Sequence, residues 1–122
     1  MSDKFEIFEV EVIAPNLIVI PQGSALQFLY NNIQIESNKI LTLLNAPEIS
    51  NVIIDLNRVE YLDSIIISCL TRLLQQAKQS GGKAVFCNAC DNMQYILQSI
   101  KLGTLWPLFD TREEAILSLS SN

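Results

Sequence analysis

The spacing of apolar residues changes several times along the chain, and each change marks a secondary-structure element. In residues 5–13, apolar and acidic side chains roughly alternate, which predicts a half-exposed strand. A second strand is predicted at residues 17–20. Pro15-Asn16 is the predicted turn between the two strands, and Pro21-Gln22-Gly23 is predicted to end the second one. Together the two strands predict a β-hairpin.

Helical spacing then alternates with short, almost wholly apolar runs. Helices are predicted at residues 31–45, at 64–80, from Asp91 onwards and at 111–119, with Asp91 and Thr111 as capping residues. Buried strands are predicted at 51–56 and 83–86. The helix at 64–80 has the clearest pattern, because it places six apolar side chains in one stripe and is followed by a glycine pair that can end it. The stripe consists of Ile66, Ile67, Leu70, Leu73, Leu74 and Ala77.

A hairpin followed by alternating helices and buried strands predicts the α/β fold class, because parallel strands need crossover helices. We therefore expect a mixed β-sheet of about four strands or more with about four helices. The chain has 122 residues, of which 49% are hydrophobic and 17% charged. This is enough apolar material for one core, so residues 1–122 are predicted to form a single domain.

The composition argues against several classes of function. The formal net charge is −5, and the basic residues do not form a stripe that could follow nucleic acid. No apolar run reaches the ~20 residues needed to cross a bilayer, and the first residues do not resemble a signal peptide, so we expect a cytoplasmic protein. The chain has no histidine and no glycine-rich phosphate loop. We therefore predict no catalytic residues, no metal site and no cofactor.

Cysteine chemistry provides one alternative to this non-enzymatic interpretation. Three cysteines without a secretory signal indicate reduced thiols and no disulfide framework. Cys87 and Cys90, separated by two residues between a predicted strand and helix, have the spacing of a redox dithiol. A thiol oxidoreductase that uses this pair is therefore an alternative hypothesis.

The start of the helix at 64–80 is the most informative stretch. Asp63 is a good N-cap, which places Ser64 in the first turn, where free N–H groups and the helix dipole would stabilise a phosphate. Alternatively, Asp63 and Ser64 only cap the helix. Helical geometry places Ile65, Ser68 and Arg72 opposite the apolar stripe, so these side chains are expected to be exposed and could form a small contact patch.

Several sequence words together resemble the STAS family, the anti-sigma factor antagonist domain. The family pattern of valine, an aromatic residue, an apolar residue and Asp-Ser is matched by Val59, Tyr61, Leu62 and Asp63-Ser64. Residues 52–56 resemble its apolar-Asp-Leu strand. The chain departs from the pattern after Ser64, where Ile65-Ile66 replaces Ser/Thr-Gly, and at Leu26, where the family has an acidic residue three positions after a glycine matched here by Gly23. Further similarities are the glycine pair before Lys83, the strand end at residues 86–88, and Leu102, Leu105, Phe109 and residues 113–115 near the end of the chain.

The resemblance implies a non-enzymatic module of signal transduction and transcription regulation. Its expected partner is a serine kinase, often also an anti-sigma factor, bound through the helix that begins at Ser64. Ser64 is by position the expected phosphoacceptor, and Asp63, Ile65, Ser68 and Arg72 are the expected partner-binding residues. The resemblance also leaves open a constitutive scaffold or transporter-associated STAS domain in which Ser64 is not phosphorylated.

Overall fold

A computed structural model describes residues 6–23 and 28–120, and the predicted alternation of strands and helices is present in them. These residues form five strands and five helices. In chain order the elements are β1 (Phe8–Ile13), β2 (Asn16–Pro21), α1 (Tyr30–Leu43), β3 (Asn51–Asp55), α2 (Ser64–Gln79), β4 (Ala84–Cys87), α3 (Asp91–Ser99), α4 (Leu102–Leu105), β5 (Leu108–Phe109) and α5 (Arg112–Ser120).

The five strands form one mixed sheet in the order β1-β2-β3-β4-β5. β1 and β2 are the predicted hairpin and run antiparallel, with Val10 opposite Val19. The other neighbours are parallel, and each parallel connection passes through helical structure, as a crossover requires. The α/β class with a mixed sheet is therefore confirmed.

Alternate strand residues face two different layers. Val52 and Ile54 belong to the larger core, which also contains the buried residues of α1, α2, α3 and α4. Ile53 points to the other face, into a smaller core covered by α5. Since β3 is buried on both faces, its central residues 52–54 are all apolar instead of alternating with polar residues.

Helix α2 packs against the sheet through the predicted stripe, except that Ile67 is only partly buried and Cys69 is buried in addition. Its fully buried residues include Ile66, Leu70 and Leu73. The helix is followed by Gly81, whose φ of +87° is the left-handed conformation that glycine adopts easily, and by Gly82, whose N–H donates to the Ala77 carbonyl at 2.9 Å. The predicted C-terminal stop is therefore present.

Several predicted boundaries were wrong. Asn16 is the first residue of β2 and not part of the turn, which consists of Ala14 and Pro15. β1 begins at Phe8, and residues 1–5 lie outside the described part of the chain. The later boundaries move by one to two residues: α1 occupies Tyr30–Leu43 instead of 31–45, and β4 occupies Ala84–Cys87 instead of 83–86.

The start of α3 differs from the capping prediction. Cys90 occupies the N-cap position, and Asp91 is the first helical residue, where its charge complements the helix dipole. The Gln94 side chain donates to the Ala89 carbonyl instead of completing a capping box. In α5 the prediction is confirmed, because the Thr111 hydroxyl accepts the Glu114 N–H at 3.1 Å.

Glu36 of α1 is a buried acid that holds the start of β1. It is 6% exposed, and its carboxylate accepts the backbone N–H groups of Glu6, Ile7 and Phe8 at 2.9–3.2 Å. The sequence pattern placed Glu36 on a helix but gave no sign of these partners, which lie 28–30 residues away. The contact links the hairpin to the helical layer.

Candidate functional site

The first turn of α2 has the predicted capped geometry. Asp63 has extended backbone at the N-cap position, and its Oδ1 accepts the Ile66 N–H at 3.1 Å. Its carbonyl accepts the Ile67 N–H at 3.0 Å. Ser64 is the first helical residue and is exposed. A group attached to its hydroxyl would therefore project into solvent beside the positive end of the helix dipole.

The outer face of α2 carries the other residues singled out from the sequence. Ile65 is 39% exposed, and Ser68 and Arg72 are also exposed. Ile66, next to Ile65 in sequence, is fully buried in the core. We call Ser64, Ile65, Ser68 and Arg72 the α2 surface. Its exposure follows from the helical period alone, because the apolar stripe fixes which side of the helix faces the sheet.

Two shallow grooves border the α2 surface. A groove of about 250 Å³ lies between α1 and α2, and a more apolar groove of about 360 Å³ lies between α2 and α3. Ser64 and Ser68 line both grooves, so they form the ridge between them. The first groove is also lined by Tyr30, Gln34, Ile65, Cys69 and Arg72, and the second by Tyr61, Leu62, Asp63, Ile67, Ile96, Ile100 and Leu102.

The grooves bring aromatic residues next to Ser64 that sequence reasoning missed as site residues. Tyr30, the first residue of α1, is 59% exposed, and Tyr61, three residues before Ser64, is 57% exposed. Exposed tyrosines are common in protein interfaces because the ring is apolar and the hydroxyl can hydrogen-bond. In the sequence, Tyr61 stands out only as part of a family motif, and no local pattern predicts that Tyr30 lies beside α2.

A polar cluster lies at the carboxyl end of β3, where Asp55 meets Arg112, the first residue of α5. Asp55 is completely buried, and its carboxylate accepts the Arg112 Nε–H at 2.9 Å, the Asn88 side-chain amide at 3.1 Å and the Asn57 N–H at 3.1 Å. Arg112 also pairs with Glu11 at 3.2 Å. The cluster therefore links α5 to β1 and β3 and to Asn88, the residue that follows β4.

Charge and burial at Arg112 act in opposite directions. Burial alone would lower the pKa of the Arg112 guanidinium, but its hydrogen bond to Asp55 and the charges of Glu11 and Asp55 outweigh this effect and raise the pKa. Arg112 therefore stays charged and compensates the buried Asp55 carboxylate. In the sequence, Asp55 is recognisable only as part of a strand motif, and no pattern predicts a role for Arg112.

The two closely spaced cysteines lie in different environments. Cys87 is buried in β4, and burial, followed by the Asp55 charge, raises the pKa of its thiol to about 12. Cys90 is exposed at the N-cap of α3, and all three cysteines are free. A thiol with so high a pKa stays protonated at neutral pH, so Cys87 is a poor nucleophile or leaving group for disulfide exchange.

The two departures from the family pattern are Ile65-Ile66, at the start of α2, and Leu26. At the first departure, Ile65 lies on the exposed α2 surface, whereas Ile66 fills the core. A glycine at position 66 would not fill that core, so the isoleucine contributes to packing here. Leu26, the second departure, lies outside the described residues, although Gly23 is described and buried.

Comparison with known proteins identifies one family. A family model described as STAS domain matches residues 9–115. No curated protein matches the chain by sequence. Among the described residues, no helix is both long enough and apolar enough to cross a membrane.

Three solved proteins, one of them in two forms, have a similar fold. Their sequence identities to this chain are 24% or less, so the similarity concerns the fold alone. An anti-sigma-factor antagonist (STAS) domain protein from Planctomyces limnophilus has 24% identity and a TM-score of 0.75, over 93% of this chain and 98% of that chain. The anti-sigma factor antagonist SpoIIAA in its unphosphorylated form has 19% identity and a TM-score of 0.73, over 89% and 92%. The phosphorylated form of SpoIIAA, a Bacillus cell fate determinant, has 20% identity and a TM-score of 0.68, over 89% and 96%. The murine anion transporter Slc26a9 has 17% identity and a TM-score of 0.66, over 92% of this chain but 19% of the transporter.

Proposed function

The chain belongs to the STAS domain family, and from this premise we propose that it is a non-enzymatic regulatory module that binds a serine kinase or anti-sigma-type protein through the α2 surface. Phosphorylation of Ser64 switches this binding off. The observation that carries the proposal is the position of Ser64, which is exposed in the first turn of α2 on the ridge between two grooves. One small hydroxyl therefore lies where a partner covering either groove would meet it.

The local geometry supports a phosphate on Ser64. The Asp63 side chain takes the Ile66 N–H. The N–H groups of Ser64 and Ile65 also belong to the first turn, where a helix leaves its N–H groups without acceptors within the helix. A phosphate there would gain these donors and the favourable helix dipole, each dipole contact contributing about 0.3–1 kcal/mol. The Asp63 carboxylate next to it would oppose a second negative charge, so the folded domain gains little net stability from the modification.

The added charge would act mainly on the partner. A phosphate carries about −1.5 to −2 charges at neutral pH. Arg72 is eight residues from Ser64, about 12 Å along the helix axis, which exceeds the screening length of ~8 Å at physiological ionic strength. The first turn of α2, residues 64–67, contains no basic residue, so a partner that packs on Ser64 and Ile65 would have to bury a charge that this turn does not pair with a cation.

Two measurements test the proposal. Intact mass and phosphopeptide analysis of the protein from its own cells should find phosphate on Ser64. Partners that copurify with the unmodified protein should then bind Ser64→Ala as well as wild type and bind Ser64→Asp at least tenfold more weakly, which corresponds to about 1.4 kcal/mol. Binding affinity is measured with the purified partner by calorimetry.

Ser50→Asp is the matched control. Ser50 is exposed and directly precedes β3, so it lies at the amino-terminal end of that strand, whereas Ser64 follows its carboxyl end. The Ser50→Asp variant adds the same charge as Ser64→Asp. Ser50→Asp should bind like wild type. If Ser64→Asp and Ser64→Ala bind every copurifying partner equally well, the switch does not exist.

The similarity to Slc26a9 favours a second candidate function. That protein is an anion transporter, and this chain matches about a fifth of its length. In a constitutive scaffold or transporter-associated role, the same α2 surface would dock on a larger assembly without phosphorylation. A stoichiometric complex that phosphatase and Ser64→Asp leave unchanged would select this function over the switch.

A further inference from the structure

The groove between α1 and α2 contains one charged side chain, that of Arg72. The other six residues that line it are uncharged. Arg72 is exposed, and its charge is positive in a chain whose net charge is −5. The groove is therefore a positively charged site on an acidic protein and would attract an anionic group.

Arg72 differs from the other two arginines of the chain in having no acidic partner. Arg58 and Arg112 both form ion pairs with acidic side chains. Within the described residues, Arg72 makes no ion pair and no hydrogen bond through its side chain. Its guanidinium is therefore open to a carboxylate from another molecule.

The two helices that form the groove place no competing acid beside Arg72. Helix α2 contains no aspartate or glutamate. Helix α1 has one, Glu36, which is 6% exposed and whose carboxylate accepts backbone N–H groups at the start of β1. Asp63 precedes Arg72 by nine residues, about 13.5 Å along the helix axis, which is more than the screening length of ~8 Å. An anion that approaches Arg72 would therefore meet little repulsion from α1 and α2.

The same groove offers apolar surface next to this charge. Tyr30 is 59% exposed and Ile65 is 39% exposed. The volume of about 250 Å³ is below the roughly 300–1,000 Å³ of typical small-molecule sites. Arginine and tyrosine are both enriched in protein–protein interfaces, where they often contribute most of the binding energy. The combination therefore fits the side chains of a protein better than a free anion, which would leave Tyr30 and Ile65 uncovered.

We propose that the partner of the α2 surface places an acidic side chain in this groove, where its carboxylate pairs with the Arg72 guanidinium while an apolar side chain beside it packs on Tyr30 and Ile65. The inference rests on the proposed function, because it names the chemistry of the partner at the same surface. A guanidinium can bind a carboxylate through two parallel hydrogen bonds, which the ammonium group of lysine cannot reproduce. Packing on Tyr30 and Ile65 would exclude water from the pair and strengthen it relative to an exposed ion pair.

Calorimetry with the purified copurifying partner tests the pairing. Arg72→Gln should weaken binding at least tenfold and should make the affinity less dependent on salt concentration. Arg72→Lys should recover only part of the affinity, because it restores the charge without the paired hydrogen bonds. Lys78→Gln is the matched control, since Lys78 is an exposed cation of the same helix that does not line this groove, and it should bind like wild type.

Charge reversal on both proteins identifies the acid. Arg72→Glu should bind more weakly than Arg72→Gln, and replacing one acidic surface residue of the partner by lysine should restore at least tenfold of the loss. The proposal is overturned if Arg72→Gln binds like wild type or if no such replacement restores binding. It is also overturned if sedimentation of the pure protein shows self-association that Arg72→Gln removes, because a second copy of the chain would then occupy the groove.

The Ser64 and Arg72 variants separate this inference from the proposed switch. If Ser64→Asp weakens binding and Arg72→Gln does not, the acidic partner is wrong and the switch stands. If Arg72→Gln weakens binding and Ser64→Asp does not, the switch is wrong and the acidic partner stands.

Discussion

Replacing Arg112 by methionine would measure how much its ion pair with the buried Asp55 carboxylate contributes to the stability of the fold. Methionine keeps much of the unbranched length of the side chain and removes the guanidinium. Asp55, which is fully buried, would lose its only cationic partner in the described chain, the Nε–H at 2.9 Å, and would keep its hydrogen bonds from Asn57 and Asn88. Glu11, whose side chain is 40% exposed, would lose its ion pair with Arg112 at 3.2 Å.

The magnitude follows from these contacts. Removing one partner of a buried ion pair typically costs 3–5 kcal/mol. Two hydrogen bonds remain on Asp55, and the Arg112 side chain is 22% exposed, so water can replace part of the lost interaction. We therefore expect a loss of about 2–4 kcal/mol in the free energy of unfolding, most of it from Asp55, because a half-exposed pair such as Arg112–Glu11 contributes about 0–1 kcal/mol.

Arg58→Met is the matched control, because Arg58 pairs with Glu9 at 3.0 Å with side chains 50% and 42% exposed. Its expected cost is at most about 1 kcal/mol. Urea unfolding at neutral pH, followed by Trp106 fluorescence and far-ultraviolet circular dichroism, gives both values. Equal losses in the two variants would show that the burial of Asp55 does not make its pairing with Arg112 important, and the reasoning would be refuted.

Two further predictions concern close packing and alkaline pH. Gly82→Ala should destabilise the fold by about 1–3 kcal/mol or more, because a Cβ there would overlap the Ser50 carbonyl. Gly103→Ala is the control: its Cβ would have its nearest neighbouring atom at 4.0 Å, so this variant should be neutral or stabilising in the same unfolding assay. The Cys87 thiol has its pKa raised from 9.0 to about 12 by burial and then by Asp55, so the unfolded chain loses this proton first and stability falls as pH rises from 9 towards 12, by at most about 1.4 kcal/mol per pH unit. Cys87→Ala lacks this term, so the stability advantage of wild type over the variant should shrink across that range, and a constant difference would contradict the prediction.

The predicted elements were those whose signal is local and repeated. The stripe of α2 runs through four turns, and β3 has three consecutive β-branched apolar residues at its centre, so period and composition were enough to place both. α4 has four residues and β5 has two, which is too short for any period to appear. They form because the chain between α3 and α5 runs along the edge of β4. There the Phe86 N–H donates to the Pro107 carbonyl at 2.9 Å, a contact between distant residues that no local pattern predicts.

The candidate site shows the same division. Helical geometry predicted that Ile65, Ser68 and Arg72 face outwards, since their direction depends only on the stripe behind them. The grooves beside Ser64 depend on how α1 and α3 pack against α2, and no pattern within one helix contains that information. Long-range polar contacts were also missed, because Arg112 meets Asp55 across 57 positions and Glu11 across 101.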